Sequence, residues 1–156
     1  MSIEFKELEE EYAKYEKKYK LPSFKELNND FEIDKLDKIS GNFVKSIRKT
    51  MMDKIVNTLG FLEMMLNPMN APRMYAVYLN TMGQDDRNKI NKMYGVLAGL
   101  IVDSLDLEIE YDEKEESEVI KKIFGSWKDI KGDLKQILKN MRNPKEFQKK
   151  EKNYFG

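Results

Sequence analysis

The sequence predicts an all-α protein, an irregular bundle of five to seven helices around one long central helix at about residues 34–66. The first observation behind this fold class is that apolar residues recur at three- and four-residue steps along most of the chain. The second is that strand-like alternation is confined to one short stretch, residues 106–112. With 156 residues and 40% hydrophobic residues, the chain is large enough for one domain with its own core. We expect that domain to span residues 1–143, and a polar, basic tail to follow over 144–156.

The composition excludes several classes of function. Histidine and cysteine are both absent, which excludes histidine-dependent catalytic triads, thiolate nucleophiles, disulfides and cysteine- or histidine-bound zinc. The 28 basic and 28 acidic residues cancel, so the net charge does not indicate a strongly basic nucleic-acid-binding protein. No apolar run reaches the roughly 18 residues that a membrane span requires. We therefore expect a soluble, cytoplasmic protein with no membrane partner.

The first helix is predicted from about Ser2 to Lys20. Five apolar or aromatic residues fall on one face of it: Phe5, Leu8, Tyr12, Tyr15 and Tyr19. This face either packs on the body of the same chain or forms the seam of a dimer, and it is the candidate self-association face. Packing on the same chain is favoured, because three tyrosines are unusual in a coiled-coil seam.

A short second helix follows the first, and the central helix comes after it. Pro22 disfavours helical geometry at the residue before it and so ends the first helix. Ser23 and Glu26 have the spacing of a capping box, which predicts a helix from there to about Asn28. The central helix, over about residues 34–66, is predicted by a long apolar stripe with helical spacing.

Prolines separate the central helix from the next two helices. Pro68 and Pro72 prevent the central helix from continuing, and a fourth helix is predicted at about residues 72–82. A fifth helix is predicted from Asp85 to about Leu105. Residues 95–99 of this helix hold two glycines and an alanine, so we expect a neighbouring helix of the fold to approach closely there.

The last third of the domain is predicted to be extended at first and then helical. Acidic and apolar residues alternate over residues 106–112, which favours an extended segment. Asp112 with Glu115 resembles a second capping box and predicts the start of a sixth helix. Residues 125–126, Gly-Ser, are expected to interrupt this helix, and Asn143 and Pro144 to end it.

Two groups of capping and turn residues carry a family resemblance. They are Leu21-Pro22-Ser23-Phe24 with Glu26-Leu27-Asn28, and Leu66-Asn67-Pro68 with Ala71-Pro72. In these segments the chain resembles a small all-helical, uncharacterised archaeal protein family. The resemblance implies an all-helical fold and a cytoplasmic location, and it carries over no catalytic residue.

Two carboxylates stand inside strongly apolar stretches. Glu63 and Asp103 are candidates for burial, and a buried carboxylate needs a partner because an unpaired charge costs several kcal/mol. The scarce arginines Arg48 and Arg73 are the candidate partners, and a Glu63–Arg73 pair is reasonable across the proline-rich turn. Such a pair either locks the turn or acts as a general acid/base pair in a pocket, and the structural interpretation is favoured.

Charge is segregated along the chain. Residues 103–118 hold nine acidic residues and one lysine, which indicates a solvated acidic surface more than a specific metal site. Residues 121–156 hold 11 basic and 4 acidic residues. The candidate basic patch is at their end: Lys139, Arg142, Lys145, Lys149, Lys150 and Lys152. Basic residues near aromatic ones can bind RNA, although lysines at a helix C-terminus also complement the helix dipole.

These observations favour a non-enzymatic helical protein–protein interaction module. Its partner, another protein or a second copy, would bind exposed helical grooves, methionine-rich patches or the N-terminal tyrosine face. One alternative is a nucleic-acid or ribonucleoprotein accessory factor that uses the basic C-terminal third. A second alternative is a histidine-free small-ligand binder or enzyme built around Glu63 and Asp103. No cofactor is expected.

Overall fold

The computed structural model describes residues 4–36, 39 and 41–143. These residues form six α-helices, with no β-strand among them: α1 (Phe5–Tyr19), α2 (Phe24–Phe31), α3 (Phe43–Leu66), α4 (Arg73–Thr81), α5 (Gln84–Ile109) and α6 (Glu113–Arg142). Two short 3₁₀ turns, Ile33–Lys35 and Pro68–Asn70, lie on either side of α3 in the chain. The all-α prediction is confirmed.

The three longest helices, α3, α5 and α6, pack against one another in pairs and form the centre of the molecule. Each buries a stripe with helical spacing, and these stripes contain the fully buried residues Ile47, Met51, Ile55, Ile90, Leu97, Ile120 and Ile123. Burial of apolar surface at these positions is the main stabilising term of the fold. In this arrangement α3 has the central place that the sequence predicts.

The central helix is nevertheless shorter than predicted, because it begins at Phe43 and not near residue 34. Gly41 and Asn42 form a turn directly before it. Glycine disfavours a helix by about 1 kcal/mol relative to alanine, and asparagine favours turns and caps. Ile33, in the preceding 3₁₀ turn, is still fully buried. Leu36 of the predicted stripe is half-buried and Ile39 is 39% exposed, so the helical pattern does not hold before Phe43.

Helix α1 lies on the body of its own chain. Leu8 and Tyr12 are buried, and the Tyr12 hydroxyl donates a hydrogen bond of 2.6 Å to the carbonyl oxygen of Pro22. The rings of Tyr12 and Phe24 meet edge to face with centroids 5.4 Å apart. Phe5 is 53% exposed, but its ring also contacts Phe24 at 5.5 Å.

The two remaining tyrosines of this face have partners in the same chain as well. Tyr15 lies against Phe43 of α3, with ring centroids 5.4 Å apart. The Tyr19 hydroxyl donates to a carboxylate oxygen of Glu113 at 2.5 Å, and Lys18 donates to the same oxygen at 2.9 Å. The candidate self-association face is therefore occupied within one molecule, which accounts for its aromatic residues without a dimer seam.

Both predicted N-cap residues, Ser23 and Asp112, cap their helices. The Ser23 hydroxyl oxygen accepts from the backbone N–H of Glu26 at 3.3 Å, and the hydroxyl donates to the Glu26 carboxylate at 2.8 Å. At the start of α6, Asp112 accepts from the backbone N–H of Glu115 at 2.9 Å. These bonds satisfy amide groups that would otherwise lack an intrahelical partner.

Two expectations for the last third are wrong. Residues 106–109 belong to α5, because Leu107 continues the buried stripe of that helix while Ile109 points to solvent. The alternation therefore does not mark a strand with one buried face. Helix α6 runs without a break through residues 125–126, where Gly125 is exposed and a Cβ atom added to it would meet no described atom within 4 Å.

Within the described ranges, no helix combines the length and the apolar character that crossing a lipid bilayer would require.

The anchoring of α1 predicts the effect of Tyr12→Phe. This change leaves the Pro22 carbonyl without its donor, so we expect it to lower the free energy of unfolding by about 1 kcal/mol. Urea denaturation followed by circular dichroism measures the loss. In the matched control Tyr111→Phe, at an exposed position, the change is expected to stay within about 0.5 kcal/mol. Equal stability of the two variants would contradict this role of Tyr12.

Candidate functional site on the outer face of helix α5

One side of α5 is part of the core. Ile90, Met93, Leu97 and Leu100 are spaced by three and four residues, and all of them are buried. This side packs against α3 and α6 along the helix. The opposite side is exposed among the described residues, so its side chains are accessible to another molecule.

That opposite side is apolar in its C-terminal half. Val102 is 65% exposed, Leu105 is 59% exposed and Ile109 is 86% exposed. Gly95 and Gly99 precede them on the side that carries Val102 and Ile109. Apart from its chain neighbours and the nearby backbone of its own helix, a Cβ atom added at either glycine would meet no described atom within 4 Å. We call these five residues the α5 outer face. The expectation that the glycines receive a neighbouring helix of the same fold is wrong for the six described helices, because both glycines are exposed.

Charged residues border the α5 outer face with opposite signs at its two ends. Lys92 is exposed toward the N-terminal end, and Asp106 and Glu110 are exposed toward the C-terminal end. None of these three side chains forms an ion pair with another described residue. Asp103, also on this border, is bound by Lys122 of α6.

A shallow acidic groove runs beside this surface, between α5 and α6. Its volume is about 600 Å³, and four carboxylates and two lysines line it: Asp103, Asp106, Glu115, Glu118, Lys121 and Lys122. The lysines pair with Glu118 and Asp103, which leaves Asp106 and Glu115 as the acidic residues without an ion-pair partner among the described residues. In the part of the chain that the structure describes, no group of three or more carboxylates is arranged to hold a metal ion. Because Asp106 borders both features, the groove extends the acidic end of the α5 outer face.

A buried polar cluster fixes the C-terminal end of α5 in place. Arg48 of α3 is 1% exposed, and it binds Glu116 of α6, which is 0% exposed, through two of its nitrogens. The Nη1 of Arg48 donates to the hydroxyl of Ser104, and its Nη2 donates to the Glu108 carboxylate at 2.7 Å. Since Ser104 and Glu108 belong to α5, one guanidinium joins three helices.

The electrostatics of the cluster favour its charged form. The hydrogen bond from Arg48 lowers the pKa of Glu108 to about 2, and a hydrogen bond from Lys45 acts in the same direction. Burial alone would lower the pKa of Arg48, but the hydrogen bonds to Glu116 and Glu108 outweigh it and raise that pKa. The guanidinium therefore stays protonated inside the protein.

A second groove, of about 660 Å³, lies between α2, α3 and α6 and includes Lys54. The Lys54 ammonium is 4.8 Å from the centroid of the Trp127 ring and 5.6 Å from that of Phe31. It also donates to the backbone carbonyl of Asp30, whose carboxylate accepts from Lys131 at 2.6 Å. These charges hold α2, α3 and α6 together, so their role in this groove is structural.

The residues predicted to form a buried ion pair differ in burial and in partner. Glu63 and Arg73 are both exposed, so the buried pair expected across the turn is wrong. The helix side that carries Glu63 faces solvent, although its sequence neighbours Leu62 and Met65 are buried. Asp103 lies at the surface with Lys122, and it pairs with neither arginine.

Of the four candidates, Arg48 is the one that the structure buries, and its partners Glu116 and Glu108 were not singled out from the sequence. A signal for Glu116 does exist. Glu116 lies four residues before Ile120 and seven before Ile123, and is therefore on the buried stripe of α6.

The basic patch is described in part. Lys139 and Arg142 are exposed in the last turns of α6. The other four candidates lie outside the described residues: Lys145, Lys149, Lys150 and Lys152. The methionines are divided as well, since Met51, Met65 and Met93 fill the core whereas Met69 and Met74 are exposed near the turn before α4.

The buried pair predicts a large effect of Glu116→Gln. The change leaves a buried guanidinium without its main counter-charge, so we expect the free energy of unfolding to fall by about 3 kcal/mol in urea at neutral pH. The matched control on the same helix is Glu118→Gln, at an exposed position, with an expected change within about 0.5 kcal/mol.

A double variant distinguishes the effect of losing the charge pair from the effect of losing side-chain packing at the two positions. Arg48→Met with Glu116→Leu removes both charges and fills the space with apolar atoms, so it is expected to recover more than half of the lost stability. If Glu116→Gln were as stable as Glu118→Gln, the buried pair would not stabilise the fold.

The lowered pKa of Glu108 predicts a pH dependence. A carboxyl group whose pKa falls from 4.5 to about 2 on folding stabilises the fold fully above pH 4.5 and loses that effect as the pH falls toward 2. Glu108→Gln is therefore expected to be less stable than the wild type at neutral pH and to approach it toward pH 2. Urea titrations at several pH values measure this, and two parallel stability curves would contradict it.

No protein-family model, no curated protein and no solved structure matches this chain. The geometry of the α5 outer face and of the cluster behind it is therefore the basis for a functional assignment.

Proposed function

We propose that this protein is a non-enzymatic helical protein–protein interaction module, which binds its partner through the α5 outer face. One observation carries the proposal: Val102, Leu105 and Ile109 are 65%, 59% and 86% exposed on one side of a helix whose other side is buried. A contiguous exposed apolar stripe with charged residues along its border is typical of a docking surface for another protein.

The rigidity of the surface supports this proposal. Ser104 and Glu108 are hydrogen-bonded to Arg48 on the inner side of α5, within one turn of the exposed Leu105 and Ile109. The exposed side chains are therefore presented on a fixed backbone. A preorganised surface loses little conformational entropy on binding, which leaves more of the contact free energy for affinity.

The charges beside the surface favour a protein over a nucleic acid as partner. Asp106 and Glu110 form no ion pair with another described residue, and they lie at its C-terminal end, where they would repel phosphate groups. The described basic residues of the candidate patch, Lys139 and Arg142, lie on α6 near its C-terminus. A nucleic-acid accessory role would therefore need a different surface.

The alternative of a small-ligand site around Glu63 and Asp103 has less support. Asp103 lines the groove between α5 and α6, and Glu63 lines neither of the two grooves described above. The cytoplasmic location expected from the sequence stays a prediction.

Site-specific photo-crosslinking tests the proposal. A benzophenone side chain at position 105, in a nuclease-treated extract of the native source, is expected to give a discrete protein adduct that survives high salt. The matched control carries the probe at the exposed Asp129 of α6 and is expected to give none. Ile109→Asp in the same chain is expected to abolish the adduct without lowering the free energy of unfolding.

Two results would count against this assignment. One is equal labelling from positions 105 and 129, which would show that contact is not specific to the α5 outer face. The other is an adduct that disappears on nuclease treatment, which would favour the nucleic-acid alternative.

A further inference from the structure

We infer that the partner on the α5 outer face is a second copy of this chain, whose α5 packs antiparallel to the first with Gly99 at the crossing point. This inference rests on the proposed function and adds the identity and orientation of the partner. It is carried by the order of charged, small and apolar residues along one exposed side of α5.

Charge complementarity selects the orientation. Lys92 and Asp106 are each seven residues from Gly99, on opposite sides of it, and both are exposed. Seven residues are close to two helical turns, so both side chains project from the side that carries Gly99. In an antiparallel pair centred on Gly99, Lys92 of one copy faces Asp106 of the other, and the two-fold symmetry makes this pair twice.

A parallel pair would be unfavourable by the same reasoning. It would place Lys92 beside Lys92 and Asp106 beside Asp106, and like charges across an interface are repulsive. Neither residue has an ion-pair partner among the described residues of its own chain, so both are available to a second copy.

The shape of the surface suits the same arrangement. In the antiparallel pair, Val102 of one copy lies opposite Gly95 and Val96 of the other, because these positions are nearly equidistant from Gly99. A Cβ atom at Gly95 or Gly99 would meet no described atom within 4 Å in the monomer, so the space above both glycines admits an incoming helix. Ile109, ten residues from Gly99 and nearer to its side of the helix, would then be covered by the N-terminal half of the second α5.

The experiment measures the molecular mass of the purified full chain by sedimentation equilibrium across a range of concentrations. We expect the wild type to dimerise. Lys92→Asp and Asp106→Lys each introduce two like-charge contacts, so each is expected to raise the dissociation constant by about tenfold or more.

Mixing the two charge variants supplies the decisive control. In the mixed dimer, the two substituted positions face each other, and their charges are simply exchanged relative to the wild type. The second contact is the native one, in which Asp106 of the Lys92→Asp variant faces Lys92 of the Asp106→Lys variant. Both contacts are therefore attractive. We expect the equimolar mixture to dimerise within about threefold of the wild type, although each variant alone is mostly monomeric.

The glycine contact is tested independently. Gly99→Leu places a side chain in open space, so it is expected to leave the free energy of unfolding unchanged or higher while weakening the dimer by about tenfold or more. The matched control is Gly132→Leu on α6, which also enters open space and is expected to leave the dimer unchanged.

The inference and the proposed function fail in different ways. A wild-type chain that stays monomeric at every concentration, or a dimer that none of these substitutions weakens, would overturn the antiparallel α5 pair. If a probe at position 105 still captured a different protein in that case, the interaction module would stand with another partner. A monomer that also gave no adduct at position 105 would refute both.

Discussion

The buried ion pair between Arg48 and Glu116 determines where α5 and α6 lie on α3. Both side chains are almost fully removed from solvent, and an unpaired charge at either position would cost several kcal/mol. The guanidinium also binds Ser104 and Glu108 of α5, so its hydrogen-bonding groups are satisfied by two other helices at once. The directional bonds of this cluster therefore act together with the close-packed apolar core in fixing the register of α5 and α6 on α3.

The same cluster explains how a stable fold can expose an apolar helix side. Glu108 and Ile109 are neighbours in the chain, yet Glu108 is held by Arg48 while Ile109 is 86% exposed. The hydrogen bond between Arg48 and Glu108 holds the last turn of α5, and it therefore fixes the direction in which Ile109 projects from the opposite side. Leu107, in the same turn, is 2% exposed, so the end of α5 is held by an apolar contact as well as by the polar cluster.

The sequence predicts the parts of the fold that depend on local pattern. It does not predict the features that depend on which side of a helix the other helices cover. Helix spacing and capping residues identify the helices, since both signals act within one turn. The position of Glu63 depends on which side of α3 the other helices cover, and no local pattern contains that information. Glu116 was missed because it stands in an acidic run, and its burial is visible only from its register with Ile120.

The two glycines of α5 lie on an exposed side that no other described helix covers. A glycine within a helix costs about 1 kcal/mol relative to alanine, and Gly95 and Gly99 both stand in the middle of α5. No contact among the described residues requires them, because a Cβ atom at either position would meet no described atom within 4 Å. The pattern correctly indicates a thin side of the helix, but none of the six described helices fills it. Gly60, Gly125 and Gly132 are just as open inside their helices, so an open glycine alone does not identify an interface. This side of α5 is assigned to a partner because its glycines lie beside the exposed apolar residues Val102 and Ile109.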